Sequence, residues 1–151
     1  MANDDVIDTL NDLIETSKDG EYGFRTSAEY MRDRQTQQLL LARAEECRDA
    51  AARLQALVRE LGGKAEDGGT AAGAVHRGWV AVKSKIVDYS DCDILEDTER
   101  AEDVAVARYR AALKQNLPPH VHAVVQLQAE GARRNHDQVR ALRDQARALR
   151  A

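Results

Sequence analysis

Four acidic or imidazole side chains, spread over four amphipathic segments, carry the chemistry this sequence offers: Glu21, Glu46, Glu102 and His136. Carboxylate oxygens with one imidazole suit iron, manganese or zinc. Glu21 is the most informative of them. Advancing about 100° per residue, Val6, Leu10, Leu13, Ile14, Ser17, Phe24 and Ala28 fall on one stripe. Asp5, Asp8, Asp12, Glu15, Lys18 and Asp19 fall mainly elsewhere. Glu21 sits between Ser17 and Phe24, near the centre of the apolar stripe. A carboxylate facing a helical core must be paired, protonated or bound to metal, because burying it bare is too costly. The plainer alternative is a Glu near the end of a bundle, reaching water or bonded to Tyr22 or to an Arg of a neighbouring helix. Structural ion pairs also occupy such positions.

The elements that must position these groups are helical. The chain is 43% hydrophobic but only 4% aromatic, rich in Ala, Leu, Glu, Arg and Gln, a mix that favours helices over strands. The first helix is predicted over about 4–30, its Asp-rich opening suited to the positive end of the helix dipole. Gly20 and Gly23 flank Glu21 and predict close helix packing there, or a local distortion. A polar turn around Arg32–Arg34 leads to a second helix over about 35–61. Its stripe is Leu40, Ala44, Cys47, Ala51, Leu54, Val58 and Leu61, closed by Gly62-Gly63 as a glycine C-cap. Glu46 borders that stripe; Glu45 and Asp49 point outward. Lys64–Gly69 reads as a flexible loop. Thr70 caps a crossover helix over about 71–87 carrying Val75, Trp79, Val82 and Ile86, with Trp79 as its anchor. Ser90 or Asp91 caps a helix over about 91–116, with stripe Ile94, Thr98, Ala101, Val104, Ala105 and Ala112. Glu102 and Asp97 flank this stripe, while Glu96 and Glu99 face more outward. Pro118-Pro119 stops and restarts the chain. The last helix, about 119–149, has the stripe Val121, Val124, Val125, Gln128, Ala132, Asn135, Val139, Leu142 and Ala146, flanked by His136. Four long helices and a crossover predict one all-α domain over 1–151, a four-helix bundle.

Several function classes fall away. There is no apolar run near ~18 residues, so no membrane span, and no secretory signal is visible, which predicts a cytoplasmic protein. A net charge of −4 argues against general nucleic-acid binding. The last helix is nevertheless basic, through Arg133, Arg134, Arg140, Arg143, Arg147 and Arg150; such a face is mostly solvated and suits a helix C-terminus. Cys47 and Cys92 have no zinc or Cys-x-x-Cys spacing. Cys47 reads as a small core residue. Cys92 stands near a helix start, where a thiol can be acidified, but has no identifiable base. There is no phosphate-binding glycine loop and no nucleophilic triad.

Hairpin geometry then asks whether the polar residues meet. With the first turn centred near Asp33, Glu21 lies level with about Glu45, and Glu46 within a turn of it. With the second centred near Leu117, Glu102 lies level with about Arg133, and His136 one turn further. Carboxylates and imidazole from four helices are the donor set of carboxylate-bridged di-iron sites.

These residues and the two hairpins joined by a long connection make the chain resemble the ferritin-like superfamily. Leu10-Asn11 followed by an acidic helix looks like a bacterioferritin-type opening. The blocks LNDLIETSKDGEYGFR, RAEEC, AEDVAVARYR and NHDQVRALRD resemble more closely an uncharacterised bacterial branch of ferritin-like bundles, often associated with stress responses. The resemblance implies one Glu on each of two helices and Glu-x-x-His on the others. Here Ser17 stands at the first position with Glu21 a turn later. Glu46-x-x-Asp49 replaces one Glu-x-x-His, Glu99 and Glu102 lie on the third long helix, and Arg133-x-x-His136 puts a positive charge where a carboxylate is expected. The di-iron motif is incomplete.

Two readings follow. One is a non-enzymatic stress-related or assembly protein, a possible homo-oligomer whose polar cluster is closed by Arg133, with Tyr22, Tyr30 and Tyr109 marking an outward contact surface. The other is an iron- or manganese-binding protein with possible redox activity, its ligands Glu21, Glu46, Glu102 and His136, with Asp49 and Glu99 as weaker candidates. No catalytic residue is assigned.

Overall fold

Helix α1 (Ala2–Tyr30) opens with Asp4 and Asp5 in its first turn, where negative charge meets the unsatisfied N–H groups. Its stripe is buried as the periodicity requires: Leu10, Leu13, Ile14, Phe24 and Ala28 are each at most 1% exposed. Helix α2 (Arg34–Glu60) starts on Asp33, whose carboxylate accepts from Thr36 N (2.9 Å) and Thr36 Oγ1 (2.7 Å). Those hydrogen bonds hold the Asp33 carboxyl below its ordinary range. Gly62 ends α2 with φ +80°, and Gly63 N donates to Val58 O at 3.0 Å. This is the left-handed glycine stop with its six-to-one hydrogen bond. Gly63 packs so closely on Ile7 that a Cβ there would come within 2.7 Å of Ile7 Cδ1.

The computed structural model describes residues 2–83, 85 and 89–150. Among them, all regular structure is helical, and no helix is long and apolar enough to cross a membrane. The segment after α2 is fastened rather than flexible. Asn11 Nδ2 donates to Lys64 O (3.0 Å), Glu66 N donates to Asn11 Oδ1 (2.9 Å), and Gln55 Nε2 donates to Glu66 O (2.8 Å). Helix α3 (Ala71–Lys83) is capped by Thr70, whose hydroxyl accepts from Gly73 N at 3.0 Å. Its expected anchor is not Trp79, which is 54% exposed; Val80 is the one buried residue of α3. The helix packs on α1 alone to any extent, so only one narrow stripe of it is covered. Ile86 and Val87, expected at its end, lie outside the described residues, as does the side chain of Arg150.

Helix α4 (Asp91–Leu113) begins with a reciprocal capping box. Ser90 N donates to Asp93 Oδ2 (2.8 Å) and Asp93 N donates to Ser90 Oγ (3.4 Å). The Asp91 carboxylate accepts from Arg32 N and Asp33 N, both at 2.8 Å, tying the start of α4 to the α1–α2 turn. Helix α5 (Pro119–Arg150) restarts on the second proline.

Contacts fix the chain directions. Ser17 meets Tyr109 and Ser27 meets Thr98, so α1 and α4 are antiparallel. Arg43 meets Gln138, and Gln128 meets Ala50, so α2 and α5 are antiparallel too. Helices α2 and α4 therefore start at the same end, and the chain through α3 makes the return. Two apolar clusters fill the ends. One gathers Val6, Leu10, Leu13, Ile14, Leu54, Leu57, Val58, Val121 and Val125; the other gathers Phe24, Ala28, Met31, Leu40, Ile94, Leu95 and Val139. Between them lies a waist where buried polar residues replace aliphatic ones: Ser17, Glu21, Glu102 and Asn135.

Candidate functional site

The waist exists because each helix turns a polar or small residue inward at the same height. On α1, Gly20 lets α2 approach: a Cβ there would lie 2.8 Å from Cys47 Sγ. Gly23 faces open space, so close packing is required at the first glycine only. Tyr109 of α4, expected outward, is buried at 5% exposure. Its hydroxyl donates to Gln128 Oε1 (3.1 Å) and lies 3.2 Å from Ser17 Oγ. Gln128 Nε2 continues the chain to Ala50 O at 3.2 Å. One hydrogen-bonded thread thus joins all four long helices. Burial pushes the Tyr109 hydroxyl up to about 12, against a lowering from the Ser17 hydrogen bond, so it serves as a neutral donor.

Beside this thread lies a cavity of about 230 Å³, bordered among others by Ser17, Glu46, Cys47, Glu102, Tyr109 and Asn135. Burial, then the charges of Glu102, Glu46 and Glu21, push the Cys47 thiol well above its ordinary range. It is a core thiol and no nucleophile. Cys47 is half-buried, whereas Cys92 is buried, with Sγ 3.8 Å from Glu96 Oε1.

The two interior carboxylates differ. Glu21 is 5% exposed and neutralised by its own helix, with Lys18 Nζ at 3.3 Å and Arg25 Nη1 at 3.1 Å. Arg25 also reaches Glu45 at 3.3 Å, which places Glu21 and Glu45 level, as hairpin geometry predicts. Glu102 is 6% exposed. No hydrogen bond or ion pair engages it among the described residues. Burial first, and then the charge of Asp103, push its carboxyl up to about 8.

The four expected ligands do not converge on one point. Glu46 shares the border of the waist cavity with Glu102, but its side chain is 52% exposed and held by Arg43. Asp49 is exposed on the same outer face. His136 is on the α4–α5 seam, where His136, Glu99 and Asp103 offer three ligand atoms within 4.8 Å of one another. His136 Nε2 lies 2.5 Å from Asp103 Oδ1 and 3.9 Å from Glu99 Oε1, and Nδ1 lies 3.3 Å from Asp137 Oδ1. Glu99, expected to face outward, is 7% exposed because α5 covers it. Arg143 grips one of its oxygens, and Arg140 Nε lies 3.5 Å from the other. Arg133, expected to neutralise the cluster, is exposed, and Arg143 takes that role instead. The reason is which faces meet: α5 covers the side of α4 that carries Glu99 and Asp103, His136 stands against both, and Arg133 points away from that seam. Asp103 was not singled out from the sequence. Its signal was there, four residues after Glu99 and hence on the same helix face.

The basic face of α5 is used within the fold. Arg147 donates to Glu96 Oε1 from Nε (3.0 Å) and Nη2 (2.8 Å), and Arg143 holds Glu99.

A family model described as a domain of unknown function, DUF2383, matches residues 5–115. The chain belongs to the DUF2383 family. In this DUF2383 chain the match runs from α1 to just past α4, so it contains Glu99, Glu102 and Asp103, while His136 stands beyond it. No curated protein matches the chain.

Proposed function

We propose that this DUF2383 protein is a ferritin-like bundle without redox chemistry of its own, a stress-related or assembly protein that works through its surfaces and through self-association. The observation that carries this reading is how its carboxylates are spent. Glu21 is held by Lys18 and Arg25, Glu46 by Arg43, and Glu99 by Arg143 and Arg140. A dinuclear centre needs carboxylates that converge, ionised, on an open position, and guanidinium groups repel the incoming cations. The ferritin-like part draws support from the helix directions and from the long return through α3. The stress association rests on sequence resemblance. Oxygen uptake after addition of ferrous iron tests the reading, with sedimentation velocity reporting the oligomer. The expected result is uptake no faster than in protein-free buffer. Uptake that is protein-dependent and lost in Glu21→Ala or Glu102→Ala would refute it.

A second reading is favoured by one geometric fact, the convergence of Glu99, Asp103 and His136. Together they can hold one divalent ion of the zinc, manganese or iron type. The ion would replace the His136–Asp103 contact and clip α5 to α4. Elemental analysis after zinc or manganese loading decides it. About one equivalent is expected, lost in His136→Ala and Asp103→Ala and kept in Glu21→Ala. Less than about a tenth of an equivalent in the unmodified protein would end the metal reading.

A further inference from the structure

Between α1, α3 and α4 runs a second and larger cavity, about 440 Å³, that the preceding reading leaves unused. Its walls are mainly apolar, with Phe24 from α1, Trp79 and Val80 from α3, and Ala101, Val104 and Ala105 from α4. Trp79 and Val104 are 54% and 51% exposed, with Lys83 Nζ 5.2 Å from the Trp79 ring centroid, so ligand-sized apolar surface still faces this groove. A volume in this range, with apolar walls and few polar groups, is typical of small-molecule sites.

The polar groups around it are nearly all spent. Asp19 accepts from Thr70 N (2.8 Å) and Thr70 Oγ1 (2.6 Å), with Arg77 at 3.6 Å. Asp97 is met by Tyr89, Arg100 and Lys83. Arg108 Nη1 donates to Thr16 Oγ1 at 3.0 Å. Arg77 Nη1 makes no hydrogen bond, but it is the ion-pair partner of Asp19 Oδ1. One acidic group is not spent. Glu102 borders this cavity as well as the smaller one, 6% exposed and with no hydrogen bond or ion pair among the described residues.

We infer that the α1–α3–α4 groove is a binding site for a small organic cation with an apolar body, its ammonium group meeting Glu102 and its hydrocarbon lying between Trp79 and Val104. The assignment goes beyond the bundle function proposed above and does not depend on it. A buried carboxyl without a counter-ion is costly, and an ammonium that brings its own three donors relieves that cost. Neither Asp19 nor Asp97 competes, since each already has its cation. Lys83 already sits over one face of the indole, and the ring offers an apolar surface against which the ligand's body can rest.

Trp79 is the only tryptophan, so its fluorescence reports on this groove directly. Phenethylamine and 2-phenylethanol have the same body and differ in the ammonium. Both are titrated at low salt into the full chain and into Glu102→Gln, whose fold is checked by circular dichroism. The expected result is saturable Trp79 quenching with the amine bound at least about tenfold tighter than the alcohol. In Glu102→Gln the two should bind within about twofold of each other, with the alcohol affinity unchanged. Equal affinity in the unmodified protein overturns the assignment. So does a preference for the amine that survives Glu102→Gln, or no saturable signal up to about 10 mM of either compound. If Glu102→Gln fails to fold, competition with phenylacetate on the unmodified protein decides: the anion should fail to displace the amine, and displacement at equal concentration would contradict a carboxylate anchor.

Discussion

The two ends of the bundle are filled by Leu, Ile, Val and Phe, whereas the waist between them holds Ser17, Glu21, Glu102, Tyr109 and Asn135. Within the waist the contrast repeats at the level of single groups. Glu21 carries its cations with it, at positions three before and four after on the same helix. Glu102 has burial without compensation. The ends therefore gain stability from apolar area in the ordinary way, while the waist gives part of it back at Glu102. A helix can neutralise its own inward-facing carboxylate through neighbours at these spacings. Where it does not, the group is left dependent on something from outside the chain.

The largest effect should come from Glu102 itself. Its folded pKa lies above its ordinary value of 4.5, at about 8. The folded state binds the proton more tightly than the unfolded one between these values. The stability this proton contributes is complete below about pH 4.5 and falls as pH rises towards about 8, levelling off above. The loss amounts to something on the order of 4 kcal/mol. Urea unfolding of the unmodified protein and of Glu102→Gln should therefore diverge with pH, the variant gaining that much relative to the parent between about pH 5 and about pH 9. A constant difference would mean that Glu102 is solvated.

A smaller effect follows from making Glu21 resemble Glu102. Lys18→Ala with Arg25→Ala leaves Glu21 buried and uncompensated, at a cost of about 3 kcal/mol at neutral pH. Arg25→Ala alone should cost under about 1 kcal/mol, because that side chain is half exposed and Lys18 remains. Adding Glu21→Gln to the double variant should restore most of the loss. Chemical denaturation of the series checks this, and a double variant as stable as the parent would show that Glu21 reaches water.

The smallest effect concerns the wall of the groove rather than the waist. Asp19 receives the Thr70 N–H and hydroxyl, and a Cβ at Gly69 or Gly73 would collide with its carboxylate. Asp19→Ala should cost about 1 kcal/mol globally. Amide hydrogen exchange should accelerate in α3 well beyond the rest, since α3 has little else than α1 to hold it. Uniform acceleration would mean that α3 is integral to the core.

The all-helical architecture was legible because a 3.6-residue period needs only the positions of Val6, Leu10, Leu13 and Ile14, and because Asp33, Thr70, Ser90 and Gly62 mark ends by local chemistry. The inward position of Glu21 was legible for the same reason. Its partners were also in the sequence, as Lys18 and Arg25, but an inward carboxylate directs attention to other helices first. What local pattern does not hold is which faces of α4 and α5 meet. Glu102 and Asp103 differ by about 100° around α4 and only about 1.5 Å along it, so the face of α4 that α5 covers decides that Asp103 meets His136. Trp79 shows a second limit. A large aromatic residue in an amphipathic helix predicts an anchor only if the helix has a surface to bury it against, and α3 offers Val80 instead.

The most direct measurement is carbonyl-carbon NMR titration of the glutamate side chains, in chelator-containing buffer, with Glu102 assigned by its loss in Glu102→Gln. One glutamate titrating near 8, absent from the variant, is the predicted result. A Glu102 that titrates below about 5.5, close to an exposed glutamate, would show a partnered or solvated carboxylate and contradict the account of the waist.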